Sequence, residues 1–496
     1  MALTLLAAGA AGLGPLTSPP AAAQDAPVIF IEDTRLQAAA GASGDLFGVA
    51  VGLDNGRAFI GTPFDSAQVP FGGSVYVYNT ATGAEIARLV PDDLDAFDWF
   101  GHALAVDGDR VLAGAWRDDD QGERSGSAYV FDLATGDPAV KLVSPLPNAT
   151  ESNFAHALGL HTNTALVGAP RQDQTANDDG AAYLYDLASS NTPITLAAPA
   201  PSALDGFGTA VAVNNDFALV SALFDDTAAP DAGAVHVFDP TTGGLLGTLS
   251  ADDAQTFDQF GAAIAIENNL AAVGARGADL DDAQDAGAVY LFDLNTFTQI
   301  GKLTVDDALA FDELGAALDI DNGQLIVSTR SNGAGPSVGG GKAYVFDLAT
   351  QTQTDTFLLR DDAGPQTVGG AVAIDNGQTL LGLARAEGAV EGSGRAELFD
   401  RAFLGDANHD GAVDLLDFDI LAGNFGQPGV WEDAEFSRNG VVDLLDFDAV
   451  AQYFGFVAPG GPPATAVPTP GVAALLAPGF ALAHRRRRRR KAQATP

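Results

Sequence analysis

The chain contains no cysteine, so disulfides, cysteine-ligated zinc and thiol catalysis are excluded. It is also poor in positive charge. Lys and Arg number 24 against 65 Asp and Glu, for a formal net charge of −41. Binding to a phosphate backbone requires Lys and Arg, so nucleic acid is excluded as a partner and anionic membrane surfaces are disfavoured. The same imbalance favours solubility and divalent cations. Histidine is scarce, at six. No long hydrophobic run is present near the C-terminus: GVAALLAPGFALA at 471–483 is 13 residues and includes Pro478, short of the ~20 that a spanning helix needs. GxSxG, HExxH and a Gly-rich phosphate loop are all missing.

What is present is 47% hydrophobic residues, 58 glycines and only 18% charged residues, a composition of turn-rich β-structure rather than disorder. One pattern recurs. An FG-like pair opens an alternating apolar strand, and a turn leads to a second strand ending near Gly-Ala. An acidic loop follows, then GxxYVFD. The anchors are Phe47, Phe100, Phe154, Phe207, Phe260, Leu314 and Val368, spaced 53, 54, 53, 53, 54 and 54 residues apart. Each unit holds four strand-like segments; in the second they are HALAVDG, DRVLAGA, SAYVFD and PAVKLV. Four strands per ~50 residues predict a β-propeller blade. The seventh unit ends after its third strand, at Asp400, while VIFIEDTRLQ (28–37) precedes Phe47 just as AVKLVS precedes Phe154. The N-terminal strand is therefore expected to complete the last blade, giving an all-β, seven-bladed propeller over 24–402.

The repeat resembles the FG-GAP family, known in integrin α-chain propellers and in many bacterial surface proteins. The motif survives as GTP at 61–63 and GAP at 168–170. Acidic loops lie between the second and third strands: RDDDQGERSG (117–126), RQDQTANDDG (171–180), FDDTAAPDAG (224–233) and RGADLDDAQDAG (276–287). They read either as a ring of weak calcium sites or as solubilising turns in which Asp makes Asx-turns. The varied Asp spacing favours the turns. His102 and His156 occupy the same place in adjacent units and are expected to lie close together near one end of the channel-lining strands. A metal or proton-transfer site there needs a third partner, and the other units place Val49, Thr209, Ala262, Ala316 and Gly370 at that position. Packing is the expectation.

VDLLDFD is written twice, at 413–419 and 442–448. Around the first copy, Asp406, Asn408, Asp410, Ala412, Asp414 and Asp417 fall at positions 1, 3, 5, 7, 9 and 12 of a calcium loop, with Gly411 at 6. Alternate residues of such a loop point inward, the Gly allows the sharp turn, and Asp417 begins a helix with Phe418, Leu421 and Phe425 on one face. The second copy places Glu435, Ser437, Asn439, Val441, Asp443 and Asp446 at the same positions. Its carboxylates drop from four to three, so it is the weaker Ca2+ site. Two loop–helix units over 405–456 resemble a dockerin domain, which implies a small α-helical, calcium-folded module with a cohesin-like partner. Where such dockerins carry Ser or Thr at loop positions 10 and 11, this chain has Leu415-Leu416 and Leu444-Leu445.

Both ends read as addressing. Residues 1–23 hold an apolar run and Ala21-Ala22-Ala23 before Gln24, the pattern of a secretory signal peptide. A Pro/Gly linker spans 457–470, and the apolar run and Arg cluster of 471–491 follow it. That order resembles the PEP-CTERM sorting signals of bacterial surface proteins, with Thr469 in place of the usual Glu; transient membrane contact through this tail is implied. The whole reads as an exported, non-catalytic binding or adhesion protein with an extracellular glycan or protein ligand. The alternatives are a propeller-type polysaccharide hydrolase or lyase, and a structural envelope component.

Overall fold

The computed structural model describes residues 28–39, 41–135, 137–146, 150–189, 192–280, 283–330, 341–358, 370–384, 392–403, 407, 413, 415–424 and 450. Seven four-stranded sheets are formed. Their first strands are Ala50–Asp54, Ala103–Asp107, Leu158–His161, Phe207–Val213, Phe260–Glu267, Ala317–Asp321 and Ala371–Asp375. Each touches the next, and the last touches the first, so the ring closes. In blades one to six the fourth strand follows the third in sequence. In blade seven the outermost position is taken by Val28–Leu36, paired with Arg395–Phe403. The closure expected from the offset repeat is therefore the one found.

The repeated signature residues hold each blade together. The anchor Phe is buried and its ring meets the strand-three aromatics of the same blade: Phe100 lies 5.7 Å from Tyr129 and 5.8 Å from Phe131, and Phe260 lies 5.7 Å from both Tyr290 and Phe292. Each such side chain, fully buried, contributes roughly 1.5–3 kcal/mol. The cores lie between neighbouring blades. Leu219, Val235 and Val237 of blade four pack with Phe260, Val273 and Tyr290 of blade five. Both faces of the inner strands are thus covered, which is why RVLAGA and its equivalents are apolar along their length.

A backbone staple joins successive blades. At four junctions the glycine before strand three bridges in parallel to the anchor residue of the next blade: Gly73 to Phe100, Gly180 to Phe207, Gly287 to Leu314, and Gly394 to Phe47 across the closure. Only glycine fits. Gly180 has φ +87°, and a Cβ there would sit 2.1 Å from the Phe207 carbonyl oxygen.

A polar network repeats on the outer half of the blades. The strand-three Tyr faces a strand-four cation in register: Tyr76 and Arg88, Tyr129 and Lys141, Tyr290 and Lys302. Each cation lies over its ring at 5.2, 5.2 and 5.1 Å and pairs with Asp65, Asp118 and Asp253 respectively. Blade six has Thr356 opposite Tyr344, and there Lys342, on strand three itself, reaches Asp307. In blade seven buried Glu397 accepts from Arg395 Nε at 2.8 Å and lies 3.8 Å from Arg35 Nε of the N-terminal strand. Arg35-Leu36 thus stands where Arg88-Leu89 and Lys141-Leu142 stand in their blades.

Residues 32–400 form one compact unit, and residues 1–31 and 401–496 fall in another. Of the latter, a helix is described over Leu415–Asn424, with Asp417 in its first turn. Phe418 and Leu421 are buried, as are Ala407, Val413 and Val450. Asp406, Asn408, Asp410, Ala412, Asp414, Glu435, Ser437, Asn439, Val441, Asp443 and Asp446 lie outside the described residues, as do the signal peptide, linker and sorting tail.

Candidate functional site

The loops joining strands two and three gather at one end of the ring with the segments that enter each blade. In five blades the loop is shaped by the same bond. Ser66 Oγ and an Oδ1 of Asp119, Asp173, Asp226 and Asp279 accept the backbone N–H of Phe71, Arg124, Asp178, Asp231 and Asp285. All five donors have positive φ, between 48° and 53°. Asp179 accepts the N–H groups of Gln174, Thr175 and Ala176, and these bonds, with the Thr175 hydroxyl, hold its carboxyl below the usual range despite burial. Asp118 and Asp225 also accept the N–H two residues on, from Asp120 and Thr227, as Asx-turns do, and among the described residues no cluster of three or more acidic or His side chains has metal-binding geometry.

A second set of aspartates, two residues before the anchor, was not singled out by the sequence reading. Asp45, Asp98, Asp205, Asp258 and Asp312 are buried, and each accepts the backbone N–H three residues earlier, at 2.6–2.9 Å. Burial and the Asp118 carboxylate push Asp98 up to about 7; burial and Asp225 push Asp205 up to about 6. A carboxyl raised above its unfolded value of ~3.9 adds stability that is full below that value and lost as pH rises through the folded one. Asp98→Asn is therefore expected to gain on the native chain by about 1–2 kcal/mol between pH 4 and 8, after allowance for solvent screening. Denaturation midpoints of both chains at the two pH values measure this; a pH-independent difference would refute it.

His102 and His156 lie together as expected, with ring centroids 5.9 Å apart. They continue a row of aromatics: Phe64 to Trp99 at 4.7 Å, Trp99 to Trp116 at 5.3 Å, Trp116 to His102 at 5.6 Å. The Arg117 guanidinium sits 4.0 Å over the Trp99 ring. The buried Nδ1 atoms of both histidines have no hydrogen-bond partner among the described residues. Burial, with the neighbouring imidazole, pushes His102 down to about 3, and burial lowers His156 as well. Both rings are neutral at physiological pH.

His156 is also one wall of an open cavity of about 770 Å³ over blades three to six. Three guanidinium groups reach it, from Arg171, Arg276 and Arg330. Arg117, Arg171 and Arg330 hold equivalent loop positions, since each donates its backbone N–H to the carbonyl two residues before an anchor: Asp98, Ser152 and Asp312. The loops after Arg117 and Arg171 are acidic in sequence, which masks the arginine recurring at their start; the loop after Arg330, SNGAGPSVGG, is uncharged.

A family model described as FG-GAP repeat matches residues 30–78, 84–131, 194–238 and 245–292. The chain carries FG-GAP repeats. Each matched segment begins in a fourth strand and ends in a third strand of the following blade. The FG-GAP unit is therefore offset by one strand from the blade, and its first match starts inside the N-terminal closing strand. FG-GAP repeats are typical of extracellular or cell-surface proteins. No curated protein matches the chain. Among the described residues, no helix is long and apolar enough to cross a membrane.

Proposed function

We propose that this is an exported, non-catalytic binding protein of the cell surface or extracellular space, whose ligand docks at the loop end of the FG-GAP propeller. The observation that carries this reading is the open cavity with its aromatic border. It is of ligand size, its wall combines Phe224 with a few charged groups, and the row of half-buried Trp99 and Trp116 ends at its His156 wall. The histidines beside it are held neutral by burial, so they do not exchange protons near pH 7 as general acid–base catalysis requires. The raised carboxyls of Asp98 and Asp205 are sealed beneath the loops. Glycan and protein arrays probed with the purified chain are expected to give a saturable ligand that is not turned over. Release of cleaved product from any arrayed sugar would replace this reading with the enzyme.

Residues 405–456 complete the proposal as a dockerin-like module stabilised by Ca2+. Support comes from Asp417, the twelfth loop position, whose buried Oδ1 accepts the Ala407 N–H at 2.7 Å. That bond ties the helix start to the second loop position, and in a calcium loop the twelfth position supplies the closing carboxylate. Asp406, Asn408, Asp410, Ala412 and Asp414 would supply the other oxygens. Residues 1–23 and 471–491 are assigned to export and surface sorting.

A further inference from the structure

We propose that the cavity over blades three to six is the binding pocket for a sugar acid: a hydroxylated ligand with a single carboxylate, held by Arg171, Arg276 and Arg330. The proposal rests on the binding role above and names the chemistry of its ligand. Cations are scarce in this chain, and many in the propeller are neutralised: Arg57 by Asp109, Arg88 by Asp65, Lys141 by Asp118, Lys302 by Asp253, Lys342 by Asp307 and Arg395 by Glu397; Arg110 instead bonds Asn163 and Arg117 lies over Trp99. The three cavity arginines make no ion pair among the described residues. Arg276 donates Nε to Gln259 Oε1 at 2.7 Å, which orients its guanidinium. Burial and then the Arg330 charge lower the Arg276 pKa, against the Glu313 carboxylate, which raises it. Arg276 and Arg330 share the cavity wall with Arg171, and a carboxylate matches the guanidinium fork.

The surroundings restrict that anion. Asp178 and Asp231 share the cavity wall with Asn153 and Thr209, a set suited to hydroxyl groups and hostile to a second negative charge. The strongly acidic surface repels polyanions in the same way, so a ligand with one charge and several hydroxyls is favoured over an acidic peptide. Phe224 and Leu204 add apolar wall for the C–H face of a sugar ring; Leu204 is 60% exposed and available.

Calorimetric titration of the full chain at low salt with glucuronate, galacturonate, glucose, galactose and acetate tests this. Both uronates, or one of them, are expected to bind about tenfold or more tighter than the matching neutral sugar, and to weaken with salt. Arg330→Gln, a change at an exposed side chain, is expected to lose about tenfold in affinity with an unchanged melting temperature. Equal binding of glucose and glucuronate, acetate binding as tightly as the uronates, or an unaffected Arg330→Gln would each overturn the assignment. An array ligand that Arg330→Gln still binds, with no uronate response, defeats the pocket chemistry and leaves the binding role standing. A chain that binds nothing on the arrays and no uronate defeats both.

Discussion

A chain lacking residues 24–38 is expected to lose about 5 kcal/mol or more of propeller stability, seen as a fall of ~10 °C or more in the main melting transition, or as aggregation. The strand Val28–Leu36 is the outermost strand of blade seven. Without it, the edge of Arg395–Phe403 is unpaired along its length. Leu36 and Ala38 leave a cluster that includes Phe47, Tyr76, Tyr78, Ala396 and Leu398. The Tyr78 hydroxyl loses its bond to the Gln37 carbonyl, and buried Glu397 loses the Arg35 charge. An open sheet edge also recruits other chains. A synthetic peptide of residues 26–38 added in trans is expected to restore part of the loss by strand addition. Differential scanning calorimetry decides the matter: unchanged melting of the shortened chain would mean that the ring does not depend on its closing strand.

The second large effect concerns calcium. In chelator, the full chain is expected to lose the helical signal of residues 405–456 and the protease resistance of that region, while the propeller transition stays in place. The two compact units allow separate transitions. The described buried residues of the small unit are Ala407, Val413, Phe418, Leu421 and Val450, and a fold of some fifty residues buries little apolar surface for its size. An ion at a thousand times its dissociation constant adds about 4 kcal/mol, enough to decide whether such a module is folded. Asp406→Ala with Asp410→Ala is expected to reproduce the chelator result, whereas the corresponding Glu435→Ala is expected to do less. Identical circular dichroism and proteolysis with and without calcium would remove Ca2+ from the account.

The number of blades, the phase of the repeat and the closure were legible in the sequence. Phe, Gly and YxFD anchors recur at a nearly fixed spacing, and a strand missing from one end was written at the other. The adjacency of His102 and His156 followed from the same periodicity. Less legible were features that depend on which side chains share a loop end. The aspartates at 45, 98, 205, 258 and 312 sit in the repeat, but only the fold shows that each caps a turn and that the first four face a second acid. Lys342 illustrates the limit of alignment. Its blade lacks the strand-four cation, and the charge is supplied from strand three, so position and chemistry part company. The arginine pocket had a signal in Arg117, Arg171 and Arg330, one loop position used three times. It was obscured because the loops after Arg117 and Arg171 are acidic and read by their majority charge.

Closure by the N-terminal strand also has a consequence in time. Blades one to six contain their four strands in sequence order, so each is complete once its own stretch of chain is available. Blade seven is different: its outer strand is the first part of the ring to emerge from synthesis or a secretion channel, and its neighbour, Arg395–Phe403, is the last. The first segment out is thus the last one used. Until the far end arrives, a strand of VIFIEDTRL waits with its backbone groups unpaired, and the longest loop in the molecule must then close around six finished blades.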